Sequence, residues 1–343
     1  MRALSDHNAI ALHACFMESD RHSTASLDSL AEPLREMRLR FEAVLAPHRE
    51  ALWDYCRRLT GSAWDAEDLV QETMLKAFAS LAKLWQPVDA RAYLFRIASN
   101  AWIDQVRRAR RAPMEELEAH PELEADSISE RRVEVREAME RLVTLLPPRQ
   151  RVVLLLCDLL DFRAGEVAAM LGATDGAVKS ALQRARTTLA RASAPGSEPL
   201  RTAIDRTAAQ HPVVERYLAA FDARDADAIA ALLHEEVTVS IVGCAEELGR
   251  STVRASSLAE WASDPREQWV EPGYLEGRAA IFVFYRTADA PRALGWVTTL
   301  DVDADGVLAQ RQYYFCPEFI RHAARALGVP AVTHGHQYVG GAS

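Results

Sequence analysis

The stretch from Ala90 to Arg111 constrains this chain more than any other, because its apolar and charged residues are satisfied together only by one amphipathic helix. At about 100° per residue, Leu94, Phe95, Ile97, Ala98, Ala101, Trp102, Val106 and Ala109 fall on one broad arc. The opposite arc carries Arg96, Asn100, Asp104, Arg107, Arg110 and Arg111, with Tyr93 and Ile103 among them. A basic face interleaved with an aromatic ring and an amide suits a phosphate backbone and unstacked bases. A solvated charged face is the simpler reading, and the helix alone does not decide between them.

Charge is unevenly spread. The net charge of −9 hides six arginines against one aspartate between Arg91 and Arg111, and a basic run without acids from Lys179 to Arg191. Acids dominate Glu115 to Glu140 and the last third of the chain. Phosphate binding answers to charge within a Debye length of about 8 Å, so an acidic total does not forbid DNA. At 343 residues the chain is long enough for two or three domains. The five cysteines form no CxxC pair, which predicts free thiols, no zinc site and a reducing cytoplasm. No apolar run, the Val152 to Cys157 stretch included, approaches a membrane span, and the expected location is cytoplasmic.

Taken in order, residues 1–38 read as a weakly ordered extension and 39–112 as a helical unit. Phe41, Val44, Leu45, Leu52, Tyr55, Cys56 and Leu59 repeat at three and four before Gly61 breaks the pattern. In the following AEDLVQETMLKAF segment, Leu69, Val70, Met74, Leu75 and Phe78 form the expected buried stripe. Glu67, Asp68, Gln71 and Glu72 form the expected exposed face, though acids here also suit a helix start. The loop Leu84 to Asp89, with Trp85, leads into the basic helix.

Asp65 to Thr73, followed by Tyr93, Leu94, Arg96, Ile97, Ala98, Asn100, Ile103, Asp104 and the arginine cluster, resembles the second conserved region of the sigma-70 family, in its extracytoplasmic-function branch. The resemblance implies that Asp65, Glu67, Asp68, Gln71 and Glu72 dock on the polymerase clamp. It also implies that Trp85, Tyr93, Arg96, Asn100, Arg107, Arg110 and Arg111 hold the minus-ten promoter element as it opens.

Residues 113–139 read as an acidic tether, bounded by Pro113 and interrupted by Pro121. Residues 140–192 then read as a helical unit with a helix-turn-helix: an apolar helix after Pro147-Pro148, a short helix around Val167, Ala168 and Leu171, and a last helix that is basic outside. LPPRQRVVLLL and AVKSALQRARTTL resemble the family's fourth region. That resemblance implies minus-thirty-five contacts by Lys179, Ser180, Gln183, Arg184 and Arg186. Asp161 is the expected cap of the first short helix.

Residues 193–210 read as a linker, 211–330 as a folded domain and 331–343 as a tail. Two helices precede strands at Val237–Val242, Ala279–Tyr285, Trp296–Asp303 and Val307–Phe315, with Asp305-Gly306 as a hairpin turn, which predicts an antiparallel meander in an α+β cone. The Tyr217–Phe221 and Asp225–Leu233 helices and that hairpin resemble SnoaL-like members of the nuclear-transport-factor-two (NTF2-like) superfamily. Asp301, Glu246 and His234 are the polar candidates for catalysis there, but they form no spaced dyad, so no catalytic residue is assigned. His334, His336 and Cys316 are read as incidental, and neither metal nor cofactor is expected.

The fold class expected is therefore multidomain: two all-α domains followed by an α+β NTF2-like cone. The implied function is that of an RNA polymerase sigma factor modulated by its last domain. Implied partners are core polymerase through its beta-prime clamp and beta flap, promoter DNA, an intramolecular contact from the last domain, and an anti-sigma protein as a further candidate; no membrane is expected. The alternative is a SnoaL-type enzyme or ligand sensor tethered to a DNA-binding module.

Overall fold

The computed structural model describes residues 27–81, 89–111, 145–192 and 211–333. The chain divides into two units, Met1–Val44 and Leu45–Ser343. Helix α1 (Leu27–Thr60) runs through the division and begins inside the stretch expected to be weakly ordered. Ion pairs at helical spacing, Arg40 with Glu36 and Arg38 with Glu42, support its early turns. Val44, placed in the apolar repeat by the sequence, is exposed.

Beyond Leu45, the rest of α1 packs with α2 (Ala63–Leu81) and α3 (Ala90–Ala109). Gly61, at φ 83°, permits the turn between α1 and α2. Tyr55 is fully buried, its ring edge-on to Phe95 and its hydroxyl 2.7 Å from that of Ser99. Asp89 caps α3 by accepting the Ala92 N–H at 2.6 Å. Leu94, Phe95, Ala98, Ala101 and Trp102 are buried as their spacing predicts, but Tyr93, Ser99 and Ile103 are buried too, while Ala109 is exposed. The buried arc is thus wider than the apolar pattern suggests in the first three turns and narrower at the arginine end.

The next unit comprises α4 (Pro148–Leu154), which continues as a π-helical turn over Leu155–Leu159, then α5 (Ala164–Leu171) and α6 (Asp175–Ala192). Asp161 does not cap α5. It occupies a left-handed turn at φ 57°, and Glu166 reaches back to accept the Arg163 N–H at 2.7 Å. Gly172 ends α5 in the left-handed conformation that glycine adopts without cost. Arg151 ties this unit to the preceding one: it donates to the Leu59 carbonyl at 2.6 Å and lies over the Trp102 ring. Arg91 does the same from the other side, over Phe162 and onto the Leu160 carbonyl.

The last unit is α+β. Helices α7 (Pro212–Asp222) and α8 (Ala226–Leu232) precede β1 (Leu233–Ile241) and β2 (Ala245–Leu248). Short helices α9 (Arg250–Ala255) and α10 (Ser257–Ser263) follow, then β3 (Gln268–Leu275), β4 (Arg278–Tyr285), β5 (Ala293–Val302) and β6 (Val307–Tyr313), and α11 (Pro317–Leu327). The sheet order is β2-β1-β6-β5-β4-β3. The sheet is mixed and not a simple antiparallel meander, because β6 returns beside β1 in parallel. A parallel neighbour needs a long connection, and the helices and strands between β1 and β6 supply it. The Asp305-Gly306 hairpin is present, with Asp303 accepting both N–H groups at 2.9 Å.

Alternation gives the sheet two faces. Ile281, Val283 and Trp296 face a core shared with Val213, Phe221 and Ile229 of the helices. Phe282, Val297 and Tyr313, one register row on the other face, lie toward α11, where Phe319 stacks on Tyr313 at 4.6 Å.

Candidate functional site

Helix α2 is covered, and the last unit covers it. Trp64 donates its indole N–H to the Leu275 carbonyl at 2.9 Å and packs between Tyr313 (5.1 Å) and Phe319 (4.8 Å), with the Arg278 guanidinium 5.0 Å from its ring. Asp68 accepts Arg311 at 2.5 Å. Gln71 lies against Gly243, where an added Cβ would sit 3.0 Å from its amide.

Glu276 joins the last domain to α1 and α2. At φ 50° in the β3–β4 turn, its carboxylate accepts the Ala63 N–H at 2.7 Å, Arg57 at 2.8 Å and the His322 ring at 2.9 Å. It therefore caps the first turn of α2 from a different domain, where a negative charge is favoured. Burial would raise its pKa, but His322, Arg57 and the Ala63 N–H outweigh that and hold it below the ordinary carboxylate range. Trp53 of α1 packs against His322 at 5.5 Å.

The sequence reading needs three corrections on α2. Glu67 is not on an exposed acidic face: it is fully buried, accepts Gln71 at 2.7 Å and lies 4.0 Å from Arg49. Burial pushes its carboxyl up against the opposing pull of Arg49 and Gln71. Leu75, expected in the buried stripe, is 65 % exposed. Glu72 is turned toward its own unit, paired with Lys76 and Gln105 at 2.5 Å each. Asp65 stays exposed, and partial burial together with Asp68 raises its pKa.

On α3 the structure brings Arg96, Asn100, Arg107, Arg110 and Arg111 to the exposed side. Tyr93 is not with them. It is 5 % exposed, its hydroxyl donating to the Ala77 carbonyl at 2.9 Å, and only its ring meets the Arg96 guanidinium, at 5.5 Å. Trp85 lies outside the described residues. On α6, Lys179, Ser180, Gln183, Arg184 and Arg186 are all exposed. Lys179 pairs with Asp175 at 2.7 Å, and Arg186 forks onto Asp158 at 2.6 and 3.0 Å. A cavity of 610 Å³ opens between the two helical units, lined by Trp102, Val106, Arg110, Leu146, Pro148 and Arg151.

In the last unit, Asp301 and Glu246 are exposed on strands, while His234 pairs at 2.9 Å with Asp303, whose carboxylate also accepts the hairpin N–H groups. That pairing holds the Asp303 pKa at about 2 and ties the hairpin to β1. Cys316 is buried, His334 and His336 lie outside the described residues, and no group of metal-ligating side chains occurs among the described residues. No helix among them is long and apolar enough to cross a membrane. Sequence reasoning missed Trp64, Gly243, Glu276, Arg278, Arg311 and α11. The apolar spacing of Phe319, Ile320, Ala323 and Ala324 was the available signal for α11; the others have none within their own segment.

Two helical units, the first with an arginine-rich helix and the second with a helix-turn-helix, define a sigma-70-type protein. Residues 44–112 match the family model for sigma-70 region 2 and residues 136–189 that for sigma-70 region 4. The chain belongs to the extracytoplasmic-function RNA polymerase sigma factors. It is 31% identical over 172 residues to SigM of Mycobacterium tuberculosis, covering 50% of this chain and 86% of SigM. It is 35% identical over 240 residues to SigG of the same species, a match spanning 62% of this chain and 64% of SigG. Among solved structures, that of M. tuberculosis SigJ aligns over 81% of this chain and 97% of its own at 23% identity and TM-score 0.31. A Catenulispora acidiphila protein with a ketosteroid isomerase-like fold aligns over 35% of this chain and 96% of its own, at 16% identity and TM-score 0.24.

Proposed function

We propose that this protein directs core RNA polymerase to specific promoters and that its last domain restrains it by covering α2. In this reading α2 docks on the polymerase clamp through Trp64, Asp65, Asp68 and Gln71. Arg96, Asn100, Arg107, Arg110 and Arg111 of α3, with Trp85 before it, hold the opened minus-ten element. Lys179, Ser180, Gln183, Arg184 and Arg186 of α6 read the minus-thirty-five element. Buried Glu67 and Tyr93 act as supports, Glu67 holding Gln71 and Tyr93 joining α3 to α2.

The observation that carries the restraint is the Asp68–Arg311 pair beside the Trp64 contacts. The polar face of α2 is engaged by the last domain, while the basic faces of α3 and α6 stay open. The test is run-off transcription with purified core polymerase, comparing the full chain with one ending at Ala192. Promoter-specific transcripts from the shorter chain, at higher yield than from the full chain, are expected. No specific initiation from either would overturn the sigma-factor reading, and equal yield would overturn the restraint.

A further inference from the structure

One contact between the last domain and α2 is made by a residue that has no side chain. Gly243 lies in the turn between β1 and β2 at φ 77°, a conformation that glycine enters freely and L-residues rarely adopt. A Cβ built there would stand 3.0 Å from both the nitrogen and the oxygen of the Gln71 amide and 3.3 Å from its carbon. Carbon in ordinary contact keeps about 3.5 Å or more, so even a methyl group is about half an ångström too large for the space.

Such a shortfall matters because neither side is free to give. The Gln71 amide N–H donates to the Glu67 carboxylate at 2.7 Å, which holds the amide from beneath. Glu67 is itself fully buried, with Arg49, 4 % exposed, 4.0 Å away. Swinging Gln71 aside would leave a buried carboxylate with one hydrogen bond fewer. The turn is held as well. Val242 is buried and donates its N–H to the Gln312 carbonyl at 2.9 Å, Cys244 donates to the Ile241 carbonyl at 2.8 Å, and the Cys316 thiol lies 3.8 Å from the Val242 carbonyl.

Gln312 links this spot to the rest of the contact. Its neighbours on β6 are Arg311, which pairs with Asp68, and Tyr313, which packs on Trp64. A turn pushed outward at Gly243 therefore draws on the strand that carries both of them. The fit at one glycine bears on the two contacts by which α2 is covered, although Gly243 belongs to neither.

We propose that Gly243 sets the specificity of the last domain for α2: the β1–β2 turn seats on this helix because glycine leaves room for a glutamine amide held down by Glu67. The proposal rests on the reading that the last domain restrains α2, and it makes Gly243 a positioning residue that acts through the Asp68 and Trp64 contacts. The test is amide exchange in the full chain and in its Gly243→Ala, Gln71→Ala and doubly substituted forms, with no polymerase present. Gly243→Ala is expected to quicken exchange over the first turn of α2, which Glu276 caps, by about tenfold or more, while β4 and β5 stay protected as in the parent, because the domain is displaced and not unfolded. Gln71→Ala, which makes room, should change that exchange less than about threefold, and the double variant should fall back to the Gln71→Ala value. That rescue separates fit from backbone strain, since the strain at position 243 is the same with or without Gln71. Parent-like exchange over α2 in Gly243→Ala, loss of protection in β4 and β5 as well, or a double variant as fast as Gly243→Ala would each overturn the proposal. Run-off transcription judges the underlying reading separately: a shortened chain no more active than the full one ends the restraint whatever Gly243→Ala does to exchange.

Discussion

Glu276 shows how much one side chain can hold. Its carboxylate receives a backbone N–H, a guanidinium and an imidazole from two domains, and among the described residues no other acid hydrogen-bonds to Ala63. Charge-assisted bonds of this kind are worth about 1.5–3 kcal/mol each, so Glu276→Gln should loosen the hold on α2 by one to two orders of magnitude. Its lowered pKa sets the sign of the pH effect. A carboxyl held below its ordinary value contributes contact energy that is fully present above that ordinary value and is lost as pH falls through the lowered one. Amide exchange over the first turn of α2 should therefore stay slow from neutral pH to about pH 4.5, the upper end of the free carboxylate range, and quicken only below it. In the Glu276→Gln chain it should be fast throughout, and that acid-side step should be missing. Identical protection in parent and variant would remove Glu276 from its place at this junction.

Among the elements, those whose partners lie close by were legible in the sequence and those with remote partners were not. The core side of α3 was readable because Leu94, Phe95, Ala98 and Trp102 meet only α1, α2 and the unit beside them. Tyr93 was misplaced because polar neighbours on the wheel suggest exposure, whereas its hydroxyl finds the Ala77 carbonyl and can be buried. Glu67 was misplaced for the same reason, since only Arg49 and Gln71 make its burial tolerable. The parallel β1–β6 pairing was hidden because strand order is not written in the alternation of either strand. The arginine end of α3 supports a prediction of its own. Arg110 and Arg111 stand in solvent, and Arg107 is half exposed beside Asp104, so replacing all three with glutamine should leave thermal stability nearly unchanged. If these side chains meet phosphates, promoter affinity of the holoenzyme should fall and its salt slope should flatten by about two to three. An unchanged slope would show that the cluster does not touch the DNA backbone.

At the scale of the whole molecule, the contact between the last domain and α2 is intramolecular, so its strength acts as a toll on every partner that needs α2. If only a fraction of chains has α2 uncovered, the apparent dissociation constant for core polymerase rises by the inverse of that fraction. The contact combines a guanidinium–carboxylate pair, a triply bonded carboxylate and a tryptophan enclosed by two aromatic rings and an arginine. Its guanidinium–carboxylate pair is only partly buried, with Arg311 34% and Asp68 42% exposed, so solvent and salt weaken that pair more than they weaken the Trp64 packing. A chain ending at Ala192 should bind core polymerase at least tenfold more tightly than the full chain. Arg311→Ala in the full chain should recover a minor share of that gain, and Phe319→Ala a larger one, because it opens the enclosure of Trp64. The gain from truncation should shrink as salt is raised, since the full chain is then partly released already. Fluorescence anisotropy with labelled core polymerase at two salt concentrations measures all four quantities. Equal affinity of the full and shortened chains would mean that polymerase and the last domain occupy different faces of α2, and that the covering of Trp64 serves stability alone.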